Sequence, residues 1–329
     1  MLSFKSLNEH SRLIGLIMND NDKVEETLYL NELLDYNLEQ DSEFAKGIGK
    51  YAEEFEKNAK DLITSFKMKK EYKLEVTPPV FNDTYERNIS YICGKSGSGK
   101  SYYMAKYLRK YHHMNPRNLI YYVSANRIGN DKSYLPLFEK KSFQKVFRQI
   151  RLSSINNIIP FEEYRNCIFI FDDILDVEVS LSPDEIANLY LEEKKSNNAQ
   201  DVKLLLSDQV KIARITKIKS ELIKHNIVNS IFALLNLGRK NGISVLVSDH
   251  KLHSGGNSCK IISESHNIVL FPHGNVSSSK LEEFLVKKLS FDKDQAAKVI
   301  NKVFKKYEFL NINVAGDNFY LTSNEFKFL

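Results

Sequence analysis

One stretch constrains the fold of this chain more than any other. Residues 89–108, ISYICGKSGSGKSYYMAKYL, run from an apolar strand pattern through a loop of only Gly, Lys and Ser into a helix. The loop fits the spacing G-x-x-x-x-G-K-[ST] as Gly94-Lys95-Ser96-Gly97-Ser98-Gly99-Lys100-Ser101. Glycines let the backbone curl so that successive N–H groups converge on one point, and the following helix aims its positive N-terminal end at the same point. Such a nest binds phosphate. In this pattern Lys100 reaches the β- and γ-phosphates, the Ser101 hydroxyl ligates Mg²⁺, and Tyr102 follows at the mouth of the loop. The stretch is therefore read as a site for ATP with magnesium, and it requires a strand before it and a helix after it.

The rest of the chain supplies a sheet to carry that loop. After residue 88, short apolar runs alternate with longer polar segments: ISYIC (89–93), LIYYVS (119–124), CIFIFDDI (167–174), ISVLVSD (243–249) and NIVLFP (267–272). Near-continuous apolar strands separated by helices imply a parallel sheet covered on both faces, with ligands at the C-terminal edge of the strands. The expected class is an α/β P-loop NTPase with a helical N-terminal segment and a small α+β tail. Residues 1–82 are read as a helical accessory segment, because Leu28, Leu30, Leu33, Leu34 and Leu38 form an apolar stripe that Phe44, Tyr51, Phe55 and Leu62 continue. Residues 83–275 are the nucleotide core, with 176–224 as a polar helical insertion, and 276–329 form a helix-helix-hairpin tail. Asp292 is placed to cap the second of those helices. The hairpin is either a small winged element or an extension of the sheet edge.

The chemistry of a triphosphate site needs carboxylates at the end of a buried strand. Asp172 and Asp173 end the run CIFIF: Asp172 is the metal-side residue, and Asp173 orients or polarises the attacking water. The strand 243–249 ends at Ser248-Asp249-His250, where Ser248 or His250 can sense the γ-phosphate. Arg239 lies just before that strand. It is either an arginine finger for a neighbouring subunit or a solvated cation at a helix C-terminus. His253-Ser254-Gly255-Gly256-Asn257 is read as a loop, and His112-His113 as a helix end.

Composition narrows the classes. With 329 residues, 42% hydrophobic and 27% charged, the chain is globular, and a net charge of +5 suits a polyanionic partner without requiring one. Cys93, Cys167 and Cys259 show no zinc-site spacing, and the first two sit in apolar runs as core residues. No apolar run approaches the roughly 18 residues of a membrane span, so the expectation is a soluble, cytoplasmic protein with no membrane partner.

Several blocks in one order resemble a family. ISYICGKSGSGKSYY, NPRNLIYYVSANR, IFIFDDI, LLNLGRKNGISVLVSDHKL and ISESHNIVLFP together resemble the poxvirus-type genome-packaging ATPases of large DNA viruses, within the FtsK–HerA superfamily, over residues 85–275. The resemblance implies nucleotide binding by Gly94 to Ser101, Mg²⁺ and water handling by Asp172 and Asp173, an arginine role for Arg239 and a sensor near Ser248 to His250. It also implies a homo-oligomeric ring that threads double-stranded DNA, a capsid or virion partner, and residence in the host cytoplasm or virion. The superfamily commonly has Glu and Gln where this chain has Asp173 and His250. On a DNA translocase, the basic stretch Lys211 to Lys224 is either a DNA-facing helix or a solvated amphipathic one. A P-loop kinase acting on a nucleoside or other small acceptor is the alternative function, with Arg214 as a lid residue. A non-catalytic nucleotide switch is a third, against which the intact Lys100, Ser101, Asp172 and Asp173 argue.

Overall fold

The computed structural model describes residues 87–125, 131–152, 157–174, 209–252, 256–273, 277–289, 291–314, 319–322 and 325–328, a few single residues between them, and five strand segments before residue 81. Those five are β1 (Leu2–Ser3), β2 (Arg12–Met18), β3 (Val24–Leu30), β4 (Ser65–Lys67) and β5 (Lys73–Val80). All five lie in residues 1–82 and correct the expectation of a helical segment there. VEETLYL carries Val, Thr and Tyr, which favour a pleated strand, and it pairs antiparallel with RLIGLIM of β2. Residues 31–64, with most of the leucine stripe, lie outside the described residues. β1, β3, β2 and β5 form a four-stranded sheet in that order.

The core follows as β6 (Ile89–Gly94), helix α1 (Lys100–Met114), β7 (Ile120–Ser124), two short helices α2 (Leu135–Phe138) and α3 (Lys141–Val146), β8 (Phe147–Arg151) and β9 (Ile168–Asp172). Next come α4 (Gln209–Leu237), β10 (Ser244–Asp249), α5 (Gly256–Ser263) and β11 (Asn267–Phe271). The tail is α6 (Ser278–Leu289), α7 (Lys293–Val303), β12 (Leu310–Asn313), β13 (Phe319–Leu321) and β14 (Glu325–Phe328). The ten-stranded sheet has the order β4-β14-β13-β12-β11-β6-β10-β9-β7-β8. From β11 to β8 every pairing is parallel, and from β11 to β4 every pairing is antiparallel. The tail hairpin therefore extends the sheet edge. Asp292 caps α7, its carboxylate accepting from the Gln295 N–H at 2.7 Å.

Alternation along the strands sorts the core into two layers. Ile92, Ile120, Ile170, Leu246 and Val269 face α1, whose Tyr103, Tyr107 and Tyr111 recur every four residues on one buried stripe. Tyr91, Cys93, Phe169, Val245 and Ile268 face the other way, against Ile223, Ile227, Ile231 and Leu235 of α4 and the tail helices. The basic stretch Lys211 to Lys224 is the first half of one long helix, α4, that runs on to Leu237. Arg87 ends it: its guanidinium donates to the Leu234 carbonyl at 2.6 Å and to that of Leu235.

A line of buried amides crosses the point where the sheet changes from parallel to antiparallel. Asn267 donates through Nδ2 to Asn88 Oδ1 at 2.8 Å, and Asn313 donates to Asn267 Oδ1 at 3.0 Å. Asn88 in turn donates to the Tyr107 hydroxyl at 3.2 Å. All three asparagines are at most 1% exposed. A one-residue slip would turn these amides into the opposite apolar layer, so the ladder pins the register of β6, β11 and β12.

Candidate active site

The Gly-Lys-Ser loop connects β6 to α1, as its sequence demands. Gly97 (φ 74°) and Gly99 (φ 111°) are in left-handed conformations that a side chain would strain. A Cβ on Gly94 would stand 2.6 Å from Ser98 Oγ and 2.7 Å from Phe271 Cβ, so only glycine fits there. No side chain caps α1, which leaves its first-turn N–H groups directed at the loop. A cavity of about 720 Å³ opens over them, lined by Ser96, Gly97, Lys100, Ser101 and Tyr102 on one side and by Asp131 and Asp173 on another.

The strand order places the polar residues. β10 lies between β6 and β9, so Ser248 and His250 come between the lysine of the loop and the two aspartates. Lys100 is 5% exposed, and its Nζ donates to the Gly94 carbonyl at 2.6 Å and lies 3.3 Å from Asp173 Oδ1 and 3.2 Å from His250 Nδ1. Because the ammonium only donates, Nδ1 of the imidazole accepts and Nε2 carries the proton, 3.2 Å from Asp173 Oδ2. Lys100, Asp173 and His250 thus close a triangle, of which Lys100 and Asp173 line the cavity. Asp173 is held in a left-handed conformation (φ 50°), unusual for a residue with a side chain. Ser248 Oγ accepts from its N–H at 2.9 Å.

Asp172 points to the same edge. Ser248 Oγ donates to its Oδ1 at 2.6 Å, and the Tyr122 hydroxyl donates to its Oδ2. Burial, and next the adjacent Asp173, hold the Asp172 carboxyl above the usual carboxylate range, against the lowering effects of Ser248, Tyr122 and Lys100. Burial and the same carboxylate push the Tyr122 hydroxyl far up, so it stays a donor. A partly buried carboxylate with a neighbouring carboxylate and a serine hydroxyl in the first turn of α1 is a set of hard oxygen donors. Such donors fit a magnesium ion. The glycine cradle, the inward lysine and the cavity fit a nucleoside triphosphate.

The structure brings together Gly94 to Tyr102, Asp172, Asp173, Ser248 and His250. It does not bring Arg239 to them. Arg239 is exposed in a 3₁₀ turn (Gly238–Asn241) before β10, at the N-terminal edge of the strands, near Arg87. Tyr122 is the functional neighbour that sequence reasoning missed. A tyrosine in a buried parallel strand needs a partner for its hydroxyl, and that requirement was its only signal.

No family model matches the chain. Among curated proteins, the uncharacterized protein V3 of Sputnik virophage is 24% identical over 196 residues, which is 59% of each protein. The chain thus spans less than two thirds of that relative's length. Among solved structures, it is similar to the genome packaging NTPase B204 of Sulfolobus turreted icosahedral virus 2 in complex with AMPPCP, with TM-score 0.41, 15% identity and coverage of 72% of this chain and 97% of that one. The pCW3 conjugation coupling protein TcpA with ATPγS has TM-score 0.36, 12% identity and coverage of 96% and 77%. These are distant likenesses, and the reading of the site rests on its own residues.

Proposed function

We propose that this chain is a Mg²⁺-dependent ATPase of the FtsK–HerA type that works on double-stranded DNA as a translocating or genome-packaging motor, in a ring of its own copies. One observation carries the hydrolytic part: Lys100 and Asp173 line a glycine-rich cavity, His250 touches both, and Ser248 ties Asp173 to Asp172 behind them. The triphosphate's terminal oxygens take the place of Asp173 beside Lys100, whose charge is better matched there. Ser101 and Asp172 would hold magnesium, which would supply positive charge to offset that of the triphosphate. Asp173, released from Lys100 and steadied by His250 and Ser248, orients the attacking water and polarises it. His250 touches both the lysine and the carboxylate, so it reports whether the phosphate is present.

Support for DNA as the polymer is electrostatic. Lys211, Arg214 and Lys217 follow at three-residue spacing and are exposed on the first half of α4.

The test is ATP hydrolysis by the full chain with and without long double-stranded DNA, at low and moderate salt, with Lys100→Ala as the blank. Turnover stimulated by DNA and fading with salt supports the motor, because phosphate contacts release counterions. Lys100→Ala is expected to lower turnover at least about a hundredfold. Turnover indifferent to DNA overturns the motor and turns the search to a small phosphate acceptor. Absence of Lys100-dependent turnover overturns the ATPase.

A further inference from the structure

The cavity over the loop continues beyond the phosphate nest to a wall of rings contributed by α1, β11 and the turn before β12. Three of those rings pack on one another. Tyr103 meets Phe309 with centroids 5.0 Å apart and Phe271 at 5.9 Å, and Phe271 and Phe309 are also 5.9 Å apart. Mutual packing accounts for that trio. It does not account for Tyr307, which is 61% exposed while it lines the same cavity.

Tyr307 is unusual in its backbone as well. Its φ is 68°, in the left-handed region that a bulky side chain rarely occupies. Glycine or asparagine would hold this turn with less strain. Lys306 Nζ stands 4.9 Å from the ring centroid, an exposed cation contact, and the strained residue carries a ring that apolar packing does not require. The ring is also placed at the loop: its Cδ1 lies 3.8 Å from where a Cβ of Gly99 would be, immediately beside Lys100. Strain in a turn that overlooks a ligand cavity is characteristic of functional positions.

We propose that Tyr307 is the stacking platform for the base of the bound nucleotide. The inference rests on the nucleotide reading of the Gly94 to Ser101 loop and extends it to the end of the ligand that the loop does not touch. With the phosphates held at the start of α1, the ribose and base lie along the cavity toward the aromatic wall. An exposed ring presents a flat apolar face there, and a base gains by stacking on it whichever hydrogen-bonding edge it carries.

The residue's own backbone supplies a suitable variant. Tyr307→Gly removes the ring and relieves the left-handed strain, so loss of binding in this variant is not a folding defect. Binding of Mg-ATP and of inorganic tripolyphosphate to the full chain is measured calorimetrically for the wild type, Tyr307→Gly and Tyr307→Phe. The expected result is an ATP dissociation constant raised about tenfold in Tyr307→Gly and restored to within about threefold in Tyr307→Phe, with tripolyphosphate affinity unchanged. Unchanged ATP affinity in Tyr307→Gly overturns the proposal. So does an equal loss for ATP and tripolyphosphate, which would mean that the ring shapes the loop instead of meeting the base. If the wild type binds neither ligand, the nucleotide reading of the loop itself fails, and this inference fails with it.

Discussion

Asp172 shows the conflict between stability and chemistry in this site. Its carboxyl is held above the ordinary range mainly by burial and by Asp173. A raised carboxyl pKa in the folded state means that folding favours the protonated form. That contribution is present below the ordinary carboxylate pKa and is lost as pH rises through the raised value, so at neutral pH the ionised side chain is a cost. Asp172→Asn is therefore expected to melt about 2 °C higher than the wild type at pH 7 without nucleotide or magnesium. The difference should shrink as the pH is lowered, and the variant should lose magnesium-dependent turnover. Scanning fluorimetry at several pH values, together with an activity assay, checks both halves. The cysteines give a second residue-scale expectation. Burial pushes the Cys167 thiol up to about 12, and Cys93 is 2% exposed. Both should resist alkylation at pH 8 in the native chain, while the partly buried Cys259 should react, as mass spectrometry of labelled peptides would reveal.

At the scale of elements, the asparagine ladder joins three strands whose pairing changes direction at β11. Asn267→Ala would remove two hydrogen bonds, taking from the buried Asn313 Nδ2 its acceptor and leaving Asn88 Oδ1 with the longer 3.4 Å bond from Ser90, at a cost of about 3 kcal/mol. Urea unfolding should show a lower midpoint with an unchanged slope, and restoration of only one amide partner should not recover it. The same elements show what the sequence made legible. β6, β9, β10 and β11 were readable because each is a nearly continuous apolar run, buried on both sides. The strand-loop-helix passage at Gly94 to Lys100 was readable because few backbone solutions satisfy its glycines. β8 was not, since FRQIR sets only two apolar residues, three positions apart, among two arginines and a glutamine at the sheet's edge, and shows neither a continuous apolar run nor alternation. β3 was mistaken for helix because Leu28 and Leu30 fit the start of a helical stripe, whereas its partner β2, which decides the matter, is a tertiary fact. In the site, Lys100, Asp172 and Asp173 follow from motif and spacing. Tyr122 and Tyr307 do not, because one depends on strand order and the other on a backbone conformation that no local pattern announces.

At the scale of the molecule, the position of Arg239 decides how many chains an active site needs. β10 is six residues long, so Arg239 before its first residue and His250 after its last are separated by the full depth of the sheet, about 20 Å. An arginine side chain extends roughly a third of that. Arg239 therefore cannot meet the nucleotide held by its own loop, and two accounts of it give opposite results. If it is a cation at the end of α4, Arg239→Ala should leave turnover unchanged. If it completes the site of an adjacent copy in a head-to-tail ring, Arg239→Ala should lose about a thousandfold in turnover, with ATP affinity nearly unaffected. The second account makes a stricter demand. A protomer carrying Arg239→Ala retains its own loop, and one carrying Lys100→Ala retains its arginine. Each variant alone would be inactive. Mixed in equal amounts and allowed to assemble, they would recreate an intact site wherever the first donates the loop and the second donates the arginine, which is about a quarter of random head-to-tail contacts. Recovery to about that fraction of wild-type turnover would assign Arg239 to the neighbour's site. Inactivity of both variants without recovery on mixing would confine its effect to the chain that carries it, and would leave the ring without its catalytic rationale.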